Sequence, residues 1–332
     1  MCLILLSYEP RDNNRLVILS NRDEFYDRSS ERAHYWSEQE IQLATTLNNR
    51  GAFTSSAITI LAGRDSVGGG TWLGVDPKRN RFAAVTNFRM GVDACLPRNS
   101  VVINKSNTFN QSQSKSTCSR RKRSRGSLPI DFIASDMDSM EFLSQPRISD
   151  VNAYDGFNML VFDGKTLAYA SNRKLDYDVG GGGGGRPREL KGGMYGLCNG
   201  VLDDPWPKVT KGKDMMEAKL GGAHEISSHS GMQKEYISSL LDIMLDTERP
   251  PDDRLPNTGI PIELERGYSS IFVEVPSIGY GTRSSALVVM DGDGVQLFAE
   301  REYTRRGKDE EGAGQEEREV ETGDTVIFRD FA

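Results

Sequence analysis

Histidine is almost missing from this chain: there are three in 332 residues, His34, His224 and His229. No HExxH or paired-ligand spacing can be built from them, so neither a histidine metal site nor a His-based triad is expected, and no metal or cofactor is assigned. Cysteine is scarce too. Cys2, Cys95, Cys118 and Cys198 are far apart and contain no CxxC pair, which argues against a disulfide framework or zinc site and for a reducing compartment. No apolar run approaches the roughly 20 residues that span a bilayer, so no transmembrane segment is expected. Residues 1–8 lack the basic flank and small-residue cleavage site of a secretory signal, and a strand at a cytoplasmic address is the simpler expectation. Excess positive charge is lacking as well: the net charge is −7, which argues against a general nucleic-acid binder.

What is present is an ordinary globular composition, 37% apolar and 27% charged, enough for one large core. Basic residues gather once, in Arg120-Arg121-Lys122-Arg123-Ser124-Arg125, after a polar stretch at 104–117. This reads as a solvated charge run inside a disordered insertion at 92–124. A glycine loop at 179–186 and an acidic stretch at 308–322 read as further surface segments. The rest is taken as one domain over 1–332.

Strand patterns at 2–8 and 15–20 flank a turn-rich segment and read as a hairpin. Others follow at 57–62, 81–88, 156–162, 167–171, 269–275, 286–290, 295–300 and 324–328. Helices are expected at 127–135, 137–143 and 233–245; the last is the best helical pattern, with Ile237, Leu240, Leu241 and Met244 on one face. Strands, then helices, then strands indicate an α+β fold with helices covering sheet faces. Gly68-Gly69-Gly70 leads into a strand-like run instead of a helix, which favours a tight turn over a phosphate loop.

Cys2 draws attention because initiator methionine is trimmed before small residues. Were Met1 removed, one residue would carry both a thiol and a free α-amine, titrating near ~8.5 and ~7.7–8.0. The amine can then take the proton while the thiolate attacks. Ordinarily a buried thiol is only a small hydrophobe. Arg22 and Asp23, where the second strand ends, reach Cys2 if the hairpin is in register; Arg22 would favour the thiolate and Asp23 would orient the ammonium or the arginine. Asn87 and Asn199 end strand-like runs and can donate to an oxyanion, although such asparagines are commonly turn formers. Arg283 can pair with a substrate carboxylate or phosphate.

Several strings together resemble the NRDE family: Met1-Cys2-Leu3, Ser20-Asn21-Arg22-Asp23-Glu24, Gly69-Gly70-Thr71-Trp72-Leu73-Gly74, Thr86-Asn87-Phe88-Arg89, Ser124-Arg125-Gly126-Ser127-Leu128, Gly196-Leu197-Cys198-Asn199 and Tyr280-Gly281-Thr282-Arg283. The resemblance implies the four-layer αββα N-terminal-nucleophile (Ntn) hydrolase fold of penicillin V acylases and bile-salt hydrolases, which cleave amides with an N-terminal cysteine. Cys2 and Asn199 fit that plan best, with Arg22, Asp23, Asn87 and Arg283 as further carry-overs and Arg89, Arg283 and Trp72 as substrate contacts. Arg22 and Asp23 are adjacent here, whereas the acylases usually separate them. Family members have been linked to Golgi organisation and secretion, to lipid and acyl-CoA balance in mitochondria and to haem movement. A cysteine amidohydrolase or acyltransferase is therefore one expectation, and a non-catalytic carrier of haem or an acyl-CoA the other.

Overall fold

The computed structural model describes residues 2–45, 58–89, 122–173, 185–221, 234–306, 319–329 and 331. The fold is mixed α/β, built on two antiparallel sheets. Strands β1 (Cys2–Glu9) and β2 (Arg15–Phe25) open the first sheet. The turn between them uses Asn13 and Asn14 at φ 49° and 54°, a left-handed conformation that asparagine tolerates. The second sheet follows in sequence: β3 (Ser30–Tyr35), β4 (Leu61–Asp65), β5 (Leu73–Asp76), β6 (Arg81–Asn87), β7 (Phe157–Phe162), β8 (Leu167–Ser171) and β9 (Arg188–Glu189), each beside its neighbour. Then β10 (Gly193–Leu197), β11 (Glu274–Val275), β12 (Tyr280–Asp291), β13 (Gly294–Arg306) and β14 (Glu319–Phe328) complete the first sheet. Its order is β10-β1-β2-β12-β13-β14, with β11 on β12.

The helices are α1 (Glu38–Ala44), α2 (Ser127–Ala134), α3 (Ser139–Leu143), α4 (Pro146–Ser149), α5 (Pro207–Gly221), α6 (Lys234–Leu241) and α7 (Ile262–Gly267). α1 starts on a capping box between Ser37 and Glu40, and α3 on the Asp138 side chain, which accepts from Glu141 N; each cap satisfies donors the helix leaves free.

Strand alternation sorts most buried side chains into three large apolar clusters, beside a small fourth of Val273, Val275 and Tyr280. Ile4, Leu6, Ile18 and Val288 of the first sheet meet Leu61, Phe82, Leu160 and Phe162 of the second. On the other face of the first sheet, Leu3, Leu5, Val17 and Leu287 pack on Val209 and Met216 of α5 and Ile237 and Leu240 of α6. On the other face of the second, Ala83, Val85 and Val161 pack on Ile41, Leu128, Phe132, Phe142 and Ile148 of α1 to α4. Burial on both faces explains why β1 and β7 are apolar almost throughout, Ser7 and Asn158 being their buried polar residues.

Several sequence expectations change. Only the end of 269–275 is a strand, and the 57–62 strand begins later, at Leu61. The 233–245 helix is α6 followed by a 3-10 turn at Asp242–Leu245, with Ile237, Leu240, Leu241 and Met244 buried as expected. α5, at 15 residues, has no counterpart among the expected helices. Its buried face runs through Lys208, Gly212 and Met216 at i, i+4 spacing, and lysine and glycine disguise it. Gly212 is required there, since a Cβ would lie 2.7 Å from Leu5 Cδ1. The last residues of the acidic 308–322 stretch belong to β14; the remainder, most of the glycine loop and residues 92–121 lie outside the described residues. No described helix is long and apolar enough to cross a membrane.

Candidate functional site

At one end of the space between the sheets lies a cavity of about 350 Å³. The hairpin register sets Cys2 directly opposite Arg22, both on the face turned to the second sheet. Arg22 is 5% exposed. Its Nη1 donates to Ser30 Oγ at 3.2 Å, and its guanidinium lies over the Trp72 ring, 4.4 Å from the centroid. Trp72, just ahead of β5, has room because Gly63 faces it: a Cβ there would sit 2.5 Å from the indole. Asn87, the last residue of β6, lines the cavity beside Val85.

The lip comes from two loops. Asp65 Oδ1 accepts from the Val67 and Gly68 N–H groups, so 68–70 is a turn, as its glycines indicate. Gly70 lies against Gly126 so closely that a Cβ would fall 2.3 Å from the Gly126 carbonyl, and Thr71 N donates to Gly126 O at 3.0 Å. That contact brings Lys122, Arg123, Ser124 and Arg125 onto the cavity wall. Residues 122–124 are exposed, as a solvated charge run should be, and they are tied to the neighbouring loop: Arg123 N donates to Ala153 O, Lys122 pairs with Asp155 at 2.9 Å, and Arg125 donates to Gly156 O. Across the mouth, Arg28 holds Asp65 at 2.6 Å and Glu24 at 3.7 Å.

Burial pushes the Cys2 thiol up; Asp23 adds to this and Arg22 opposes it. Burial likewise raises the Asp23 carboxyl, against the charge of Lys208 and a hydrogen bond from Thr282. Being adjacent in a strand, Arg22 and Asp23 point to opposite faces. Asp23 Oδ1 accepts from Thr282 Oγ1 at 2.7 Å, and its backbone oxygen accepts from the Tyr280 hydroxyl. Burial works against the charge of Asp155, but Lys122 prevails and the carboxyl is lowered.

Of the residues singled out from sequence, the cavity gathers Cys2, Arg22, Asp23, Trp72 and Asn87. Asn199, Arg89 and Arg283 do not line it. Asn199 is fully buried; its Nδ2 donates to Asn87 O at 2.8 Å and its carbonyl accepts from Arg89 N, so it holds the exit of β6 and thereby Asn87. Arg89 pairs with the buried Glu265 at 3.0 Å, between the rings of Trp206 and Tyr268. Arg283 donates to the Phe25 and Tyr26 carbonyls. Sequence reasoning did not single out Arg28, Asp65, Thr71 or Lys122 to Arg125 as site residues, although Thr71 and Ser124 to Leu128 stood in the recognisable strings. Elsewhere, Glu31, His34 and Glu40 converge within 4.8 Å, but Arg64 already pairs with both carboxylates.

Fold and site together describe a two-sheet α/β protein with a free cysteine on the wall of a small polar cavity. The chain belongs to the Transport and Golgi organisation 2 family, whose model matches residues 1–305. It is 29% identical over 316 residues to the human Transport and Golgi organization protein 2 homolog, and 28% over 317 residues to that of Bos taurus, covering 91% of this chain and 92% of each relative. The Drosophila melanogaster Transport and Golgi organization protein 2 is 24% identical over 302 residues, 87% of either chain.

Proposed function

We propose that this protein is a cysteine amidohydrolase or acyltransferase of the Ntn type, a single αββα sandwich in which Cys2 is the nucleophile. The observation that carries the reading is the pairing of Cys2 with Arg22 on the wall of a cavity that also holds Asn87. With Met1 removed, the Cys2 α-amine takes the thiol proton and the thiolate attacks an acyl carbon. The Asn87 amide, which has no partner among the described residues, donates to the oxyanion, and removal of one such donor costs about 3 kcal/mol in known cases. Arg22 offsets part of the burial that disfavours the thiolate. Asp23 acts from the opposite face, where it fixes the end of β2 through Thr282.

Intact mass is the first test: the mature protein is expected to begin at Cys2, and a retained Met1 removes the base. An acyl-directed covalent probe is expected to label the wild type at Cys2 and leave Cys2→Ala unlabelled. The raised thiol favours a second reading, a non-catalytic carrier for haem or an acyl-CoA acting in Golgi organisation, secretion or mitochondrial lipid balance. Stoichiometric haem binding that survives Cys2→Ala, without turnover of any acyl compound, would select it.

A further inference from the structure

The charges on the cavity wall are unevenly matched. Asp65 and Glu24 share Arg28, and Asp155 has Lys122. Asp23 is held by Thr282 and lies in the field of Lys208. Arg22 and Arg123 have no carboxylate partner among the described residues. For Arg123, exposed at the mouth, water suffices. Arg22 is different, because it is buried and finds only Ser30 Oγ as a protein acceptor among the described residues. A buried cation without a counter-ion is costly, and Arg22 lies on the cavity wall. Trp72 covers one face of it, leaving the fork of N–H groups along its edge, the geometry that a carboxylate matches with two parallel hydrogen bonds.

Size and register narrow the ligand. About 350 Å³ is at the low end of small-molecule sites, which run to roughly 1,000 Å³, and the wall is rich in charge instead of apolar. Directly opposed strand residues have Cβ atoms roughly 4.5–5.5 Å apart. An anion on Arg22 is therefore a few bonds from a carbonyl within reach of the Cys2 sulfur.

We infer that the cavity takes small acyl compounds of the N-acyl amino acid type, with the carboxylate on Arg22 and the amide carbonyl at Cys2. The reaction rests on the nucleophile reading, but the carboxylate site does not. In that reaction the thiolate adds to the acyl carbon, the C–N bond breaks, and the amino acid leaves with the proton held by the Cys2 α-amine. Water then cleaves the thioester, releasing the carboxylic acid and restoring the thiol.

Iodoacetamide alkylation of Cys2, followed by peptide mapping, tests the site in the full chain. N-acetylglycine at about ten times its dissociation constant is expected to slow alkylation about tenfold, whereas its neutral methyl ester at the same concentration, weaker by about tenfold for want of one charge-assisted hydrogen bond, slows it no more than about twofold. Arg22→Gln should lose the protection and Arg22→Lys should keep part of it. Should both fail to fold, Arg123→Ala is expected to weaken protection and steepen its loss with salt. Equal protection by the methyl ester overturns the proposal, as does protection by inorganic phosphate but not by N-acetylglycine. Calorimetric binding of N-acetylglycine to Cys2→Ala, with no hydrolysis by the wild type, would leave the carboxylate site standing and sink the nucleophile; turnover of neutral amides alone would do the reverse.

Discussion

Between the two sheets, three successive rows of the first sheet run from oil to charge. Register sets Leu6, Ile18, Val288 and Phe298 side by side in one row, Ile4, Ser20, Ala286 and Glu300 in the next, and Cys2, Arg22, Ser284 and Glu302 in the last. The same four strands with the same backbone pairing thus build a core at one end and a polar row at the other, where Cys2 of β1 and Arg22 of β2 line the cavity. Two residues along a strand separate the rows, so the transition is abrupt. The apolar row supplies cohesion; the polar row is carried by it and is free to serve chemistry.

The contrast can be broken from either end. Phe298→Ala, in the apolar row, is expected to cost about 3–5 kcal/mol in urea unfolding. Glu300, in the middle row, is next. It is buried, it accepts from Ala33 N at 2.6 Å across to the second sheet, and burial raises its carboxyl to about 7, with Glu302 adding and Ser284 and Arg32 opposing. The folded state therefore holds this proton more tightly than the unfolded chain. The resulting stability is complete below about pH 4.5 and fades as pH rises through 7, up to about 3 kcal/mol in all. Glu300→Gln keeps an acceptor for Ala33 and should flatten that slope, so that its stability relative to wild type improves between pH 5 and pH 8; an unchanged slope would refute the assignment.

Gly63→Ala comes third. Displacing the Trp72 ring is expected to cost about 1–3 kcal/mol and to shift the tryptophan emission. Smallest is Cys2→Ser, half-buried at the cavity end: less than about 1 kcal/mol in stability, yet complete loss of acyl labelling. If Cys2→Ser proved as damaging to the fold as Phe298→Ala, the division of labour between the rows would be wrong.

Much of this was readable before any coordinates. The hairpin, the runs that became β6 to β8, the amphipathic α6 and the meeting of Cys2 with Arg22 follow from period, turn chemistry and register. What escaped was set by partners far away in sequence. α5 hid because its inner face carries a lysine bonded to the Tyr268 and Ser270 carbonyls and a glycine cut to fit Leu5. Residues 122–124 of the basic string do face solvent, but their place on the cavity wall escaped, because nothing local announces Gly70 pressed on Gly126 or Asp155 paired with Lys122. Asn199, Arg89 and Arg283 were credible ligand contacts by residue type, but their donors go to backbone carbonyls and to Glu265, choices only the assembled fold makes.

The strand order of the first sheet has a consequence for biosynthesis. β2 is complete at Phe25, yet one of its flanks is filled by β12, which begins only at Tyr280. Until that segment is made, the opening hairpin must wait with an unsatisfied, strongly apolar margin. Such long-range closure slows folding and invites mispairing, so nascent chains of this protein should depend on chaperones through most of translation.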